Sequence, residues 1–129
     1  MDRPIWKDQP DPQDYEAAAS YLSLLAEPAV VAALVRRLEE ATITRFKAKD
    51  ILRAARLVDL PTTNTHVARD LAKIKAGKSL SPVLLIGGDL RREVPAQVAD
   101  GYHRICASYL LDENTDIPCR IAMLADPQP

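Results

Sequence analysis

The first part of the chain carries two stripes of apolar residues at helical spacing. Residues 1–11 are polar and contain two prolines, which predicts an extended tail. Asp11-Pro12 then favours a helix start, because Asp is a preferred N-cap and Pro fits the first helical position. A second helix is predicted to begin after Glu27-Pro28. The apolar residues recur every three or four positions, and the predicted buried faces are Tyr15, Ala18, Leu22 and Leu25, then Val31, Leu34, Val35 and Leu38.

The middle of the chain changes from a strand pattern to a helix pattern. Residues 42–46 are β-branched and alternating, which predicts a short strand. Residues 49–56 predict a short helix that buries Ile51 and Leu52. Residues 65–76 predict a longer helix, with Asn64 and Thr65 as its cap and Gly77 as its stop. Its predicted inward residues are Val67, Leu71 and Ile74.

The last part of the chain predicts three strands and one helix. Residues 82–86 form a continuous apolar run, which is typical of a strand buried on both faces. A glycine turn and a polar connection lead to a strand over residues 96–99, and a helix follows. Its predicted buried residues are Ile105, Cys106, Tyr109 and Leu110, and Ile117, Cys119 and Ile121 are the inward positions of the final strand. This order of helices and strands predicts an α+β fold.

Length and charge narrow the class of protein. The 129 residues fit one compact domain, and the net charge of −1 gives no positive field for a nucleic-acid backbone. We therefore do not expect a nucleic-acid partner. The apolar runs are too short for a bilayer, and the first residues do not resemble a signal peptide. The two cysteines make neither a disulfide framework nor a zinc set, so we expect a cytoplasmic protein without a membrane partner or a metal site.

Residues 98–107 are the most informative segment. An apolar strand ends at Asp100-Gly101, and Tyr102-His103-Arg104 opens the next helix. Glycine permits a close turn, and the first amide N–H groups of a helix lack partners and favour an anion such as phosphate. Arg104 adds fixed donors, and His103 adds another.

Each residue of this segment also has a purely structural interpretation. Arg104 could be solvated, although a cation in the first helical turn opposes the helix dipole. His103 could bond a carbonyl, and Tyr102 could stack on a base or pack on the core. Asp100 could bind a metal that accompanies phosphate, but capping of the helix is the favoured role.

A second group of polar residues shares one helix face. His66, Arg69 and Lys73 are spaced by three and four, so their side chains lie together beside the buried face. From the spacing alone, they are interpreted as a solvated charged face. Cys106 and Cys119 fall on inward positions and are interpreted as small core residues.

Three segments together resemble the ParB/sulfiredoxin superfamily between Thr44 and Met123. They are Ser79-Leu80-Ser81-Pro82-Val83-Leu84-Leu85, Asp100-Gly101-Tyr102-His103-Arg104 and Asp116-Ile117-Pro118-Cys119-Arg120-Ile121. The resemblance implies a small mixed sheet with packed helices over residues 42–129. Residues 1–41 are then a tail and a two-helix N-terminal extension, and the whole is expected to form one compact unit.

The resemblance also implies a ligand. In that superfamily the glycine turn and the helix start hold the phosphates of ATP or CTP, which assigns phosphate binding to Gly101, His103 and Arg104. The helix that carries His66, Arg69 and Lys73 supplies further polar contacts in sulfiredoxin-like members. Free-serine kinases have a catalytic acid near the position of Asp50, so the resemblance makes Asp50 a catalytic candidate.

Departures from the family patterns remove two activities. Tyr102 stands where sulfiredoxins carry their reactive cysteine, so sulfiredoxin activity is not expected. The chain ends at Pro129 without the helix-turn-helix region of the ParB partition proteins, so chromosome partitioning is not expected either.

Three functions follow in order of preference. The first is a nucleotide-binding protein that uses ATP or CTP with Mg²⁺ and transfers a phosphoryl group to a small acceptor. The second is a non-catalytic interaction or regulatory module with the same fold. The third is DNA binding or nuclease activity, for which the sequence offers no cluster of metal carboxylates. The sequence does not indicate the acceptor, the preferred base or the oligomeric state.

Overall fold

The computed structural model describes residues 2–124. Met1 of the predicted tail and residues 125–129 of the predicted C-terminal domain lie outside this range. The described chain is an α+β fold with six strands and five helices. In chain order these are β1 (Ile5–Trp6), α1 (Pro12–Leu22), α2 (Pro28–Glu40), β2 (Thr44–Lys47), α3 (Ala48–Ala54), α4 (Thr65–Lys75), β3 (Ser79–Leu80), β4 (Val83–Gly87), β5 (Gln97–Asp100), α5 (Tyr102–Leu111) and β6 (Asp116–Met123).

A mixed sheet with strand order β2-β6-β4-β5 forms the centre of the fold. Strands β4 and β6 are parallel, with Val83 opposite Cys119 and Leu85 opposite Ile121. Strand β2 pairs with β6, and β5 with β4, in antiparallel fashion. Because α5 connects β5 to β6, the N-terminus of α5 starts at an edge strand of this sheet.

The sequence predicted an extended tail over residues 1–11, but part of this segment pairs with another strand. Ile5 and Trp6 form a short strand parallel to Ser79 and Leu80, and the amide of Lys7 continues the pairing by donating to the Leu80 carbonyl. Asp11 then accepts a hydrogen bond from the Ser81 hydroxyl. These contacts fix the chain before α1 begins.

Helices cover both faces of the central sheet. Side chains alternate along β4, so Val83 and Leu85 enter one core with α3, α4 and α5, whereas Leu84 and Ile86 enter a second core with α1 and α2. The continuous apolar run of β4 follows from this double coverage. The buried strand predicted over residues 82–86 is confirmed.

Two residues predicted as buried are exposed. Leu25 is 56% exposed because α1 ends at Leu22, and the chain turns away before Pro28. Leu110 is 39% exposed because it lies beside, and not on, the side of the last turn of α5 where Tyr109 packs against the core.

Most element boundaries agree with the sequence within two residues. Strand β2 spans Thr44–Lys47 rather than residues 42–46, and α3 ends at Ala54 rather than at position 56. Arg56 has a φ of 56°, which is incompatible with a continuing helix. Across residues 2–124, every helix is too short or too polar to cross a bilayer.

Candidate functional site

The turn between β5 and α5 requires glycine. Gly101 has a φ of 110°, and a Cβ atom built there would lie 2.5 Å from Cγ1 of Val83. Both the backbone conformation and the space therefore exclude other residues. Since α5 begins at Tyr102, directly after this turn, the end of β5 and the start of α5 are separated by Gly101 alone.

The first amides of α5 point out of the helix without a side-chain cap. The amide of Ile105 donates to the Gly101 carbonyl, so the amides of Tyr102, His103 and Arg104 precede the helical hydrogen bonds. Within residues 2–124, no side chain caps this helix. The cap role predicted for Asp100 is therefore wrong, because Asp100 belongs to β5 and its carboxylate bonds Arg104 instead.

Arg104 is held in place by the sheet. Its Nη2 donates to Oδ2 of Asp100 at 3.1 Å and to the Pro82 carbonyl at 3.4 Å. The side chain of Arg104 is 17% exposed, and its Nε is buried without a hydrogen-bond partner among the described residues. The guanidinium is thus fixed, partly neutralised by Asp100, and still has unused donor capacity.

Helix α4 brings the second predicted group to the same place. The side chain of Asn64 accepts hydrogen bonds from the amides of His66 and Val67 at 3.0 and 3.1 Å, which confirms it as the N-cap. The rings of His66 and His103 then lie 4.7 Å apart between their centroids. Two groups that are distant in sequence therefore line one cavity.

We call this cavity the anion cavity. It has a volume of about 150 Å³ and opens to solvent. Its lining contains two histidines, three permanent cations and two carboxylates. The lining residues are His66, Arg69, Asp70, Lys73, Asp100, Gly101, His103 and Arg104.

Burial shifts the charge balance of the anion cavity. It raises the pKa of Asp70, against the lowering effect of Arg104, and it raises the pKa of Asp100 despite the hydrogen bond from Arg104. Burial and the neighbouring His66 lower the pKa of His103, so His103 is mainly neutral at pH 7. The permanent positive charges are Arg69, Lys73 and Arg104.

The sequence interpretation missed Asp70. It is 9% exposed, yet it follows His66 by four residues and precedes Lys73 by three, which places it on the same helix face. That spacing was the available signal. In the sequence alone, Asp70 between Arg69 and Lys73 is indistinguishable from another residue of a solvated charged face.

Tyr102 lies beside the anion cavity, not in it. Its hydroxyl donates to the Val58 carbonyl, and its ring packs partly against the core. The ring also lines a neighbouring space of about 350 Å³, which we call the central cavity. Tyr21, Leu57, Asp100, Gly101 and His103 also line the central cavity, so the two cavities share the β5–α5 turn.

Asp50 is placed elsewhere. It lies on α3, where Arg53 donates to its carboxylate at 3.2 Å, and it borders a different pocket that shares no lining residue with the anion cavity. The structure therefore does not bring Asp50 to the candidate phosphate site. Within the described chain, no group of three or more His, Cys, Asp or Glu side chains could hold a metal ion.

Comparison with known proteins returned no match to a family model, to a curated protein or to a solved structure. The relation to the ParB/sulfiredoxin superfamily stays a resemblance of three short segments.

Proposed function

We propose that the protein binds the phosphate groups of a small molecule in the anion cavity, with ATP or CTP as the preferred class of ligand. One observation supports this most: Arg69 and Lys73 of α4 meet the uncapped N-terminus of α5 around a single cavity. Helix N-termini bind anions through free N–H groups and the helix dipole, and nearby cations add to that attraction. The resemblance to nucleotide-binding families supports the same choice.

The carboxylates of the cavity do not cancel this attraction. Asp100 accepts a hydrogen bond from Arg104, which fixes the guanidinium before a ligand arrives. Pre-organised donors lose less entropy when they bind an anion. Asp70 has a raised pKa, so its ionised form is already unfavourable in the empty site. An anion that enters raises this pKa further and favours the neutral carboxyl group.

The central cavity provides room for the remainder of a nucleotide. It adjoins the anion cavity at Gly101 and His103 and offers the Tyr21 and Tyr102 side chains beside that turn. Phosphates at the helix start would place the sugar and base in this space. Mg²⁺, when bound to such a ligand, would neutralise part of the phosphate charge.

Thermal unfolding with ATP and CTP, each with Mg²⁺, tests the proposal. At a ligand concentration of about 100 times Kd, the stabilisation is about 2.7 kcal/mol, which raises Tm by several degrees. The Arg69→Ala/Lys73→Ala double variant removes two exposed cations and should lose most of this shift. Arg36→Ala/Lys75→Ala changes the same residue types outside the cavity and should keep it. The absence of a shift with either nucleotide would reject nucleotide binding.

A non-catalytic binding module is the second candidate. It is favoured by the position of Asp50, which leaves the anion cavity without the acid that the resemblance to free-serine kinases implies. In that case the protein binds nucleotide but releases no ADP with a small hydroxyl acceptor over hours. Turnover that disappears in Arg69→Ala/Lys73→Ala would establish an enzyme instead.

A further inference from the structure

A second pocket on the other side of the central cavity differs in chemistry from the anion cavity. It has a volume of about 160 Å³, and nearly all of its lining is apolar. We call it the apolar pocket. Its lining residues are Phe46, Asp50, Ile51, Ala54, Ala55, Leu85, Ala96, Gln97, Val98 and Ile121. None of these residues contributes to the phosphate site.

The position of the apolar pocket follows from the sheet. Leu85, Val98 and Ile121 come from three adjacent strands, β4, β5 and β6, and the short helix α3 covers them incompletely. Helix α3 ends at Ala54, and Arg56 then turns the chain away with a positive φ. The early end of α3 leaves a gap over the sheet that small side chains do not fill.

We propose that the apolar pocket binds a compact hydrocarbon or aromatic group of a second small molecule, distinct from the nucleotide. An apolar protein cavity of about 150 Å³ holds a benzene molecule, so the available volume suits one ring or a branched aliphatic group. The sugar and phosphates of a nucleotide are polar and do not suit such a lining. An apolar lining with a few polar groups at its edge is the usual composition of a small-molecule site.

The polar rim indicates where the rest of that molecule lies. Gln97 is half-buried at the edge of the apolar pocket, and its side-chain oxygen accepts a hydrogen bond from the Tyr21 hydroxyl. Gln97, Val98 and Ala55 also line the central cavity. A ligand whose apolar group occupies the apolar pocket therefore extends its polar part past Gln97 toward the central cavity. There it would meet the bound nucleotide, and this neighbour relation alone rests on the proposed function.

Binding of fluorobenzene, followed by methyl-resolved NMR of the full chain, tests the pocket itself. We expect shifts for the methyl groups of Ile51, Leu85, Val98 and Ile121, and none for Leu34 and Leu38 in the other core. Ala54→Leu places a larger side chain at the exposed edge of the pocket and should weaken binding about tenfold or more. Ala32→Leu makes the same change on the exposed side of α2 and should leave binding unchanged.

Further measurements separate this proposal from the phosphate site. Arg69→Ala/Lys73→Ala should bind fluorobenzene like the unaltered protein, even though it loses the nucleotide. If nucleotide binding fails but fluorobenzene still shifts the methyl groups of these four residues, the apolar site stands and the proposed function falls. If fluorobenzene produces no such shifts, the apolar site is rejected whatever the nucleotide does.

The identity of the occupant has its own test. Saturating ATP should leave fluorobenzene affinity within about twofold, because the two ligands occupy different spaces. Strong competition by ATP would show that one ligand fills both and would overturn the claim of a second molecule. Methyl shifts that change with protein concentration in the absence of a probe would show that another copy of the chain covers the pocket, which would also overturn it.

Discussion

Arg104 has two roles that its neighbours make compatible. It is a cation in the first turn of a helix, which by itself is unfavourable against the helix dipole. Asp100 offsets this cost through a hydrogen bond at 3.1 Å, and the Pro82 carbonyl accepts a second one. The same two contacts hold the guanidinium at the edge of the anion cavity. Without these contacts Arg104 would be unfavourable at this position; with them it is a fixed part of the site.

Asp70 should weaken anion binding, and Asp70→Asn should strengthen it. The substitution removes a negative charge from a small cavity, so we expect sulfate affinity to increase severalfold in isothermal titration. Asp50→Asn removes an acid outside the cavity and should leave sulfate binding unchanged. Weaker sulfate binding in Asp70→Asn would contradict this view and would assign Asp70 to the positioning of Arg69 or Lys73.

The difference in stability between Asp70→Asn and the unaltered protein should depend on pH in a defined direction. Folding raises the pKa of Asp70 above its ordinary value of 3.8, so the ionised carboxylate destabilises the fold. Below pH 3.8 the group is protonated in both states and this cost is absent. The cost grows as the pH rises and is complete above the folded pKa. We therefore expect Asp70→Asn to have a higher Tm than the unaltered protein at pH 7, and the difference to vanish below pH 3.8.

Anion binding should strengthen as the pH falls through the titration of His103. In the free protein burial lowers the pKa of His103 below its ordinary value of 6.5, which favours the neutral ring. A bound anion stabilises the imidazolium and raises that pKa, so binding takes up a proton. Sulfate is the suitable probe because its own charge is constant over this range.

We expect severalfold tighter sulfate binding at about pH 5.5 than at about pH 8. NMR titration of the His103 ring should show a higher pKa with sulfate than without. His103→Asn should reduce the pH dependence. An unchanged His103 pKa in the presence of saturating sulfate would place the anion elsewhere.

At this scale the sequence predicted identities better than contacts. Gly101, His103 and Arg104 meet at one cavity, because the order of strand, glycine and helix is local information. The role of Asp100 was wrong, since a carboxylate at the end of a strand reaches the arginine four residues later instead of the helix amides. Asp70 was missed because its importance depends on burial by α5, which comes from a distant part of the chain.

At the scale of elements, the β5–α5 turn is the part least tolerant of change. Gly101→Ala should destabilise the protein more than Gly77→Ala, although both glycines have positive φ. Each substitution costs about 1–2 kcal/mol for the left-handed backbone. At Gly101 the new methyl also contacts Val83, whereas at Gly77 nothing lies within 4 Å.

Urea unfolding measures this difference directly. We expect Gly101→Ala to lose about 1–3 kcal/mol more than Gly77→Ala because of the added overlap. Gly101→Ala should also weaken sulfate binding, since any backbone shift moves the first amides of α5. Equal losses for the two variants would mean that the turn can relax and that its geometry does not set the site.

The elements themselves show which signals are local. Strand β4 and helices α1, α2 and α4 follow from periodicity, cap residues and prolines within a dozen positions. Strand β1 was missed because Ile5 and Trp6 pair with Ser79 and Leu80, more than seventy positions away. A two-residue strand has no period of its own, so only its partner defines it.

At the scale of the whole molecule, α1 and α2 cover one face of the central sheet. Leu84, Ile86, Ala99 and Ala122 come from three of the central strands and form one core with these two helices. The opposite face carries the anion cavity and the apolar pocket through α3, α4 and α5. The helices that touch neither pocket therefore support the sheet on which both pockets are built.

A fragment of residues 42–129 should consequently fail to fold alone. Removal of α1 and α2 exposes Leu84 and Ile86, which are fully buried in the complete chain, and each loses about 1.5–3 kcal/mol of burial. A domain of this size has a total stability of only about 5–15 kcal/mol. The fragment also loses β1, which pairs with β3 next to α4.

We expect poor dispersion in its amide NMR spectrum and no cooperative thermal transition. Leu38→Ala in the 129-residue chain, which deletes one buried side chain from the same core, should keep its fold and lose about 2–5 kcal/mol. A fragment that unfolds cooperatively and still binds sulfate would instead show that residues 42–129 form an independent domain, with α1 and α2 as a dispensable cover.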